Sequence, residues 1–271
     1  MNTLPTEIIE PFVCKVNAHT CKLWLNIWYT KPVNIRLSWR SVYTFTKFTN
    51  IITLELGSRT VVASDVTLPV TLKKLILNQN KYVTATMMYA LTNLTELHFG
   101  GDIQITDTVL REIMSVTTLK MADNDTISED SLSHLSNLKC LSIENCKGIT
   151  DACLEKMTNL EALVLDEMPY LMCQTLTKMT NLTSIRFYEF YINDDVLTRM
   201  TQLERLEFYE HPNSISHHAI THLTNLTALA IFNQVDITQG DVAHLKKLKE
   251  LHFVSDDIYS KKVYCKHITQ L

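Results

Sequence analysis

Residues 138–165 read LKCLSIENCKGITDACLEKMTNLEALVL, in which the phrase Leu-x-x-Leu-x-Ile at Leu138 returns as Leu-x-x-Leu-x-Leu at Leu160. Such a phrase opens ten times along the chain, at steps of 21 to 23 residues. Its opening residues are Ile51, Leu72, Leu94, Val116, Leu138, Leu160, Leu182, Leu203, Leu226 and Leu248. A fixed period of about 22 residues indicates a repeat protein, in which each unit buries its apolar face only by stacking on its neighbours.

The second half of each unit predicts a short helix. Eleven residues after the opening leucine stands a triplet such as Ile149-Thr150-Asp151. Its hydroxyl residue is a favourable helix N-cap, and the acidic residue after it suits the positive end of a helix. Apolar residues follow at helical spacing, as at Leu154 and Met157. Each unit is therefore predicted to form a strand, a turn, a short helix and a second turn.

This pattern resembles the leucine-rich repeat family over about residues 45–271. The resemblance implies an α/β solenoid of about ten 22-residue repeats, shaped as a curved horseshoe with a parallel sheet on its concave face and short helices outside. In that family the eighth residue after the opening leucine is Asn or Cys. Here that position holds Asn80, Asp102, Asn124, Cys146, Met168, Phe190, His211, Gln234 and Asp256. The Cys146 unit is similar to the cysteine-containing subclass of F-box proteins. The phrase Leu-Thr-Asn-Leu-Thr is similar to bacterial internalin repeats, and we interpret this second similarity as convergence.

The segment 1–44 resembles the two ends of an F-box, an adaptor-binding helical element. Leu4-Pro5-Thr6-Glu7-Ile8-Ile9 predicts the start of a helix, because proline is favoured in a first turn, and Cys21-Lys22-Leu23-Trp24 matches the far end. The spacing between them is shorter than the family usually has, and Pro11 would break or kink the first helix. The resemblance implies that Leu4, Pro5, Ile8 and Ile9 bind a Skp-type adaptor. The alternative is a segment that only caps the apolar end of the solenoid.

Composition bounds the class of protein. The chain has 271 residues, 46% of them hydrophobic, and a net charge of −4, which allows a sizeable core and gives no sign of nucleic-acid binding. No apolar run approaches the roughly 18 residues of a membrane span, and the first residues lack the basic and apolar regions of a signal peptide. We therefore predict a cytoplasmic or nuclear protein without a membrane partner. The spacing of Cys265, Ile268 and Leu271 predicts one more helix leading to a further repeat.

The cysteines and the glycosylation sequons follow from the repeat. Seven cysteines are odd in number and form no Cys-x-x-Cys pair, so we predict reduced thiols. Asn-x-Thr sequons occur at Asn93, Asn124, Asn181 and Asn225, and three of them belong to the repeat phrase. Without a secretion signal, we expect no glycosylation.

Catalytic motifs are absent from the sequence. It holds no P-loop, Gly-x-Gly-x-x-Gly, His-Glu-x-x-His or Gly-x-Ser-x-Gly phrase, and only five glycines. His218 and His222 stand one helical turn apart, a spacing that can bind zinc, but on an outer helix it is more typical of a solvated face. We predict no enzyme, no cofactor and no metal site.

A partner-binding surface is predicted on the concave face. Residues two, four, six and seven places after the opening leucine should point there, because side chains alternate along a strand. The sixth place holds an aromatic residue in three successive units, Tyr188, Tyr209 and Phe232. The charged residues nearby are Arg186, Arg205, Asp166, Glu167, Glu189, Glu207 and Glu210. Aromatic residues and arginine are typical of an interface centre, although adjacent rings can also arise by drift.

These observations predict a non-enzymatic module that binds a protein partner, with a basic segment favoured by the acidic side chains. The F-box resemblance implies a substrate-recognition subunit of a cullin-type ubiquitin ligase. The alternative is a stand-alone leucine-rich repeat scaffold or host-interaction protein with no ligase role.

Overall fold

The computed structural model describes residues 32–37, 42–43, 50–62, 67–101, 105–209, 215–232, 237 and 239–254, and the backbone of 264–267. The chain divides into two compact units, Met1–Asn137 and Leu138–Leu271. Each unit has a sheet of parallel strands together with several short helices. The predicted leucine-rich repeat fold of the α/β class is confirmed.

The first unit contains five parallel strands in one sheet. In sheet order they are β1 (Val33–Leu37), β3 (Ile51–Gly57), β5 (Lys74–Asn78), β6 (Glu96–Gly100) and β7 (Thr118–Ala122). The short strands β2 (Val42–Tyr43) and β4 (Val61–Val62) pair with each other. The described helices of this unit are α1 (Ala85–Met88), α2 (Asp107–Glu112) and α3 (Glu129–Ser133). Strands β1 and β2 lie inside the segment 1–44, whereas the four adaptor-binding residues predicted there lie outside the described residues.

The second unit repeats the arrangement with six parallel strands. They are β8 (Cys140–Glu144), β9 (Ala162–Asp166), β10 (Ser184–Tyr188), β11 (Arg205–Tyr209), β12 (Ala228–Phe232) and β13 (Glu250–Val254). The described helices are α4 (Asp151–Lys156), α5 (Asp194–Leu197), α6 (His217–Thr221) and α7 (Gln239–Val242), with a 3-10 helix at Cys173–Lys178.

The last strand, β14 (Tyr264–His267), runs antiparallel to β13. The expectation that Cys265 belongs to a further repeat helix is therefore wrong. A sheet edge exposes unpaired N–H and C=O groups, and a strand that folds back on β13 satisfies them.

Strand alternation places the core as the repeat predicts. In β10, Ile185 and Phe187 are buried, whereas the side chains on either side of them are partly exposed. Leu163 lies beside Ile185 and is 1% exposed, and Leu229 is fully buried. The opening leucine and the residues three and five places after it thus form the buried face.

Where the structure describes it, the residue eight places after the opening leucine is buried whether it is polar or apolar. Asn80 donates from Nδ2 to the carbonyl oxygens of Gly57 (2.7 Å) and Thr60 (2.8 Å), both in the preceding unit. Phe190 occupies the same position and stacks on Phe187, with ring centroids 5.4 Å apart. An apolar ring needs no hydrogen-bond partner, so the asparagine can be replaced without an unsatisfied buried group.

After β5, β6, β7, β8, β9 and β10 the chain turns through a left-handed residue, seven places after the opening leucine, which is Gly101 in the turn after β6. The non-glycine residues found there with positive φ are Gln79, Asp123, Asn145, Glu167 and Glu189, with φ between 43° and 51°. Glu167 and Glu189 are exposed. They therefore lie in the turns beyond the strand ends rather than in the strands.

A ladder of asparagine amides joins the turns that precede the strands. Each amide donates to a carbonyl oxygen one repeat earlier: Asn93 to Val70 (3.1 Å), Asn137 to Met114 (3.1 Å), Asn181 to Thr158 (2.8 Å) and Asn225 to Thr201 (2.9 Å). The nitrogen to which a glycan would attach is thus engaged at three of the four sequons.

Candidate partner-binding surface

The aromatic row Tyr188, Tyr209 and Phe232 forms a continuous stack at the ends of β10, β11 and β12. Ring centroids are 4.4 Å apart between Tyr188 and Tyr209, at 15°, and 4.2 Å between Tyr209 and Phe232, at 14°. Parallel strands in register lie about 4.8 Å apart, so equivalent positions bring the rings into contact. All three side chains are partly exposed.

A buried carboxylate, Glu207, lies next to the aromatic row and organises the charges around it. Glu207 is 6% exposed. Its Oε2 accepts from Arg186 Nε (2.7 Å) and from the Tyr209 hydroxyl (3.3 Å), and lies 2.6 Å from Arg186 Nη2. Burial acts to lower the pKa of Arg186, but the charges of Glu207, Tyr188 and Tyr209 and the hydrogen bond to Glu207 together outweigh it and raise that pKa. Burial, with the Glu207 charge, also raises the pKa of Tyr209, which stays a neutral donor.

The Arg186 guanidinium also contacts the aromatic row, with its carbon 5.7 Å from the centroid of the Tyr209 ring. This distance is within the range of a cation–π interaction. Arg186 and Glu207 are therefore held against the rings.

A second arginine spans strand β12. Arg205 Nη2 donates to Glu250 Oε2 (3.1 Å), and Arg205 Nη1 lies 3.5 Å from Glu207 Oε1. Arg205 and Glu250 both lie in register with Ala228, on its two sides. The ion pair therefore crosses above Ala228, whose side chain is small.

Beneath the Arg205–Glu250 ion pair is a cavity of about 180 Å³, here called the β12 cavity. Its lining residues are Arg205, Glu207, Tyr209, Ala228, Leu229, Ala230, Phe232, Glu250 and His252.

An acidic patch at the ends of β8, β9 and β10 adjoins the aromatic row along the same strand-end register. Asp166 pairs in register with Glu144 and Tyr188. Burial, followed by the negative charges of Glu144, Glu167 and Glu189, raises the pKa of Asp166 to about 6. A pKa this far above the ordinary value means that the ionised form is disfavoured in the free protein.

The structure brings most of the predicted binding residues together. Tyr188, Tyr209, Phe232, Arg186, Arg205 and Glu207 form one contact network, and Asp166, Glu167 and Glu189 lie at the neighbouring strand ends. Glu210 lies outside the described residues. Sequence reasoning missed Ala228, Ala230, Glu250 and His252, although they occupy the second and fourth places of their repeats. The sequence feature that could have revealed them is the pair of alanines, Ala228 and Ala230, at positions where the neighbouring repeats carry larger side chains.

The described residues contain no group of three or more histidine, cysteine, aspartate or glutamate side chains placed to hold a metal ion. His218 and His222 are exposed and contact each other edge to face, with ring centroids 4.6 Å apart. Cys140, Cys146, Cys153 and Cys173 are free thiols. Within the described ranges, no helix has the length and apolar content needed to span a membrane.

The buried leucine phrase, the parallel strands and the short helices define a leucine-rich repeat fold. Among solved structures, the chain is similar to an internalin, InlF of Listeria monocytogenes, with a TM-score of 0.59 and 21% identity over 92% of this chain and 74% of that chain. It is also similar to the yeast Rad7 and Elc1 complex, with a TM-score of 0.48 and 16% identity over 65% of this chain and 60% of that chain. No protein-family model matches the sequence. No curated protein matches it either.

Proposed function

We propose that this protein is a non-enzymatic binding module that holds a protein partner on the exposed sheet face of its second unit. The observation that carries the proposal is the stacked aromatic row, three partly exposed rings in van der Waals contact. Partly exposed aromatic side chains that are already ordered lose little conformational entropy on binding and supply large contact areas.

The charges of this face favour a partner with a basic segment. Its described positions hold six carboxylates and two guanidiniums, at Glu144, Asp166, Glu167, Glu189, Glu207 and Glu250 and at Arg186 and Arg205. Burial, followed by repulsion from neighbouring carboxylates, raises the pKa of Asp166, and lysine or arginine of a partner would relieve that repulsion. Exposed carboxylates also steer a basic partner during approach.

A peptide selection tests the proposed partner class directly. A phage-displayed library is selected against the full chain, and we expect enrichment of peptides that combine lysine or arginine with an apolar or aromatic residue. Their affinity should fall as salt rises from about 50 to about 500 mM, because exposed charges are screened. Peptides without basic enrichment would contradict the proposed partner class.

Tyr209→Ala then tests the location of the site. Tyr209 is the centre of the stack, so its truncation should weaken the selected peptides by about 2 kcal/mol, or about thirtyfold, as for a hot-spot residue. The control is Lys178→Ala, which removes an exposed ion pair with Glu155 on the helix side of the repeat. Isothermal titration that gives equal affinities for both variants would remove the aromatic row as the binding site.

The more specific proposal is that the module recognises substrates for a cullin-type ubiquitin ligase. It rests on the F-box resemblance of Leu4-Pro5-Thr6-Glu7-Ile8-Ile9 and Cys21-Lys22-Leu23-Trp24. Co-purification of the full chain with a Skp-type adaptor tests it. Recovery of the folded chain without an adaptor favours the alternative, a stand-alone scaffold or host-interaction protein.

A further inference from the structure

The β12 cavity is a slot with an apolar floor. Ala228 and Ala230 lie between β11 and β13 and are only 4% and 7% exposed, because larger side chains stand on both sides of them. The register places Arg205 opposite Glu250 across Ala228, and Glu207 opposite His252 across Ala230. Phe232 contributes an aromatic wall. A volume of about 180 Å³ gives room for one extended side chain.

The two carboxylate oxygens of Glu207, which line the slot, differ in how closely a donor approaches them. Glu207 Oε2 is held at 2.6 to 2.7 Å by Arg186, whereas Oε1 has Arg205 Nη1 at 3.5 Å, longer than the 2.7–2.9 Å of a charge-assisted hydrogen bond. Glu207 is buried, and among the described residues Oε1 has only this distant donor, so a closer donor would stabilise it. Glu250 provides a second carboxylate on the opposite wall, where its Oε2 accepts from Arg205 Nη2 at 3.1 Å.

We propose that the β12 cavity is the anchor site for a lysine side chain of the partner, an inference that rests on the proposed function. The four-carbon stem lies on the methyl groups of Ala228 and Ala230 and against Phe232. The ammonium donates to Glu207 Oε1 and to Glu250. Long cationic side chains commonly bury their stem on apolar surface while the charge meets a polar partner.

Lysine fits this slot better than arginine or a wholly apolar residue. Arg186 already occupies the Oε2 side of Glu207, which leaves a single oxygen for one donor rather than a planar fork. A compact ammonium suits that geometry, whereas a guanidinium is adapted to bidentate contact. An apolar side chain would exclude water from Oε1 and supply no donor.

The first experiment uses n-butylammonium, an analogue of the lysine side chain. It is titrated into the full chain carrying methyl-labelled alanine, and the Ala228 and Ala230 methyl signals should shift saturably by NMR. Ala230→Leu, which fills the slot, should abolish saturation, whereas the matched exposed-face change Ala162→Leu on β9 should not. Glu250→Gln should weaken binding by up to about fivefold, as expected for one partly exposed charge partner. Equal saturable shifts with n-butanol, or none with n-butylammonium, would overturn the proposal.

The second experiment separates this inference from the proposed function. The basic peptides selected against the full chain are titrated into Ala230→Leu and Tyr209→Ala. We expect both changes to weaken binding by about tenfold or more, as for buried anchor contacts. Loss with Tyr209→Ala alone would contradict the lysine anchor while leaving the binding face in place. No loss with either variant would contradict both.

Discussion

Leu163 illustrates how a single side chain stabilises the stack. It lies on the buried side of β9, beside Ile185, and is 1% exposed. Leu163→Ala removes buried methyl groups and leaves a cavity, so the free energy of unfolding should fall by about 2–5 kcal/mol in urea denaturation. The control is Val164→Ala on the partly exposed side of the same strand, which should cost less. A loss below about 0.5 kcal/mol for Leu163→Ala would contradict the assigned register.

Asp166 provides a pH-dependent test at the same scale. Its pKa is raised from 3.8 to about 6 by burial, followed by the charges of Glu144, Glu167 and Glu189. The folded protein therefore binds more protons than the unfolded chain between these values, and stability falls as pH rises through that window.

Asp166→Asn removes the disfavoured charge and should raise the melting temperature at about pH 7.5, with a gain that nearly disappears at about pH 3, below both pKa values, where the carboxyl is mostly protonated in both states. The gain should also shrink in about 0.5 M salt, because the carboxylate is partly exposed. Thermal scans of both proteins at the two pH values provide the measurement. A gain that is equal at both pH values would mean that charge repulsion is not its source.

At the scale of elements, the N-cap residues of α3 and α6 are each hydrogen-bonded by an aspartate of the repeat before them. Asp194, in the first turn of α5, accepts from the backbone N–H of Ser216 (2.8 Å) and from its hydroxyl (2.5 Å). Asp107 makes the same pair of contacts with Ser128. Burial acts to raise the pKa of Asp107, but these hydrogen bonds outweigh it and lower that pKa. The acidic residue of the triplet therefore links neighbouring repeats as well as suiting its own helix.

Asp194→Ala should lower the free energy of unfolding by about 1–3 kcal/mol, because two hydrogen bonds to a carboxylate are lost. The exposed neighbour Asp195 is the matched control, since it occupies the same helical turn. Chemical denaturation of Asp194→Ala and Asp195→Ala compares them directly. Equal effects would show that the helix charge matters and the link between repeats does not.

The 3-10 helix Cys173–Lys178 shows what happens when the triplet is missing. Its N-cap is Met172, which has no side-chain oxygen for the first N–H groups. Asp151 of the preceding repeat accepts from the Met172 N–H (3.0 Å) and the Thr175 hydroxyl (2.5 Å) instead. The unit keeps its place in the stack because the cap comes from a neighbour.

At the scale of the whole molecule, a stack of repeats has apolar ends that need covers. Strand β14 pairs with the edge of β13 at one end, and β1 pairs with β3, the first strand of the repeats. The part of the segment 1–44 that the structure describes thus adds a strand to the sheet of the first unit.

Deletion of residues 1–30 distinguishes the two functions proposed for the N-terminal segment. If Leu4, Pro5, Ile8 and Ile9 bind an adaptor, the shortened chain should lose a Skp-type adaptor in co-purification while its circular dichroism and melting temperature stay close to those of the full chain. Unfolding of the shortened chain, with no adaptor recovered by the full chain, would instead assign the segment to capping.

The repeat period alone was enough to predict the fold and much of the candidate site. Ten phrases in register place Leu163 and Leu229 in the core and Tyr188, Tyr209 and Phe232 in one row, because each unit adds a strand in the same register. Local pattern and nearest-neighbour stacking carry this information, so no distant contact has to be known.

Only the tertiary structure decided which side chains around the aromatic row are buried, which form ion pairs and where a cavity is left. Glu207 reads in sequence as one of several acidic residues on the face, but it is buried because Arg186, Arg205 and Tyr209 from two strands close over it. The β12 cavity likewise exists only because two alanines are flanked by larger residues one repeat before and one repeat after. The repeat sets which residues are neighbours, whereas burial, ion pairing and the shape of a cavity depend on how those neighbours fill space together.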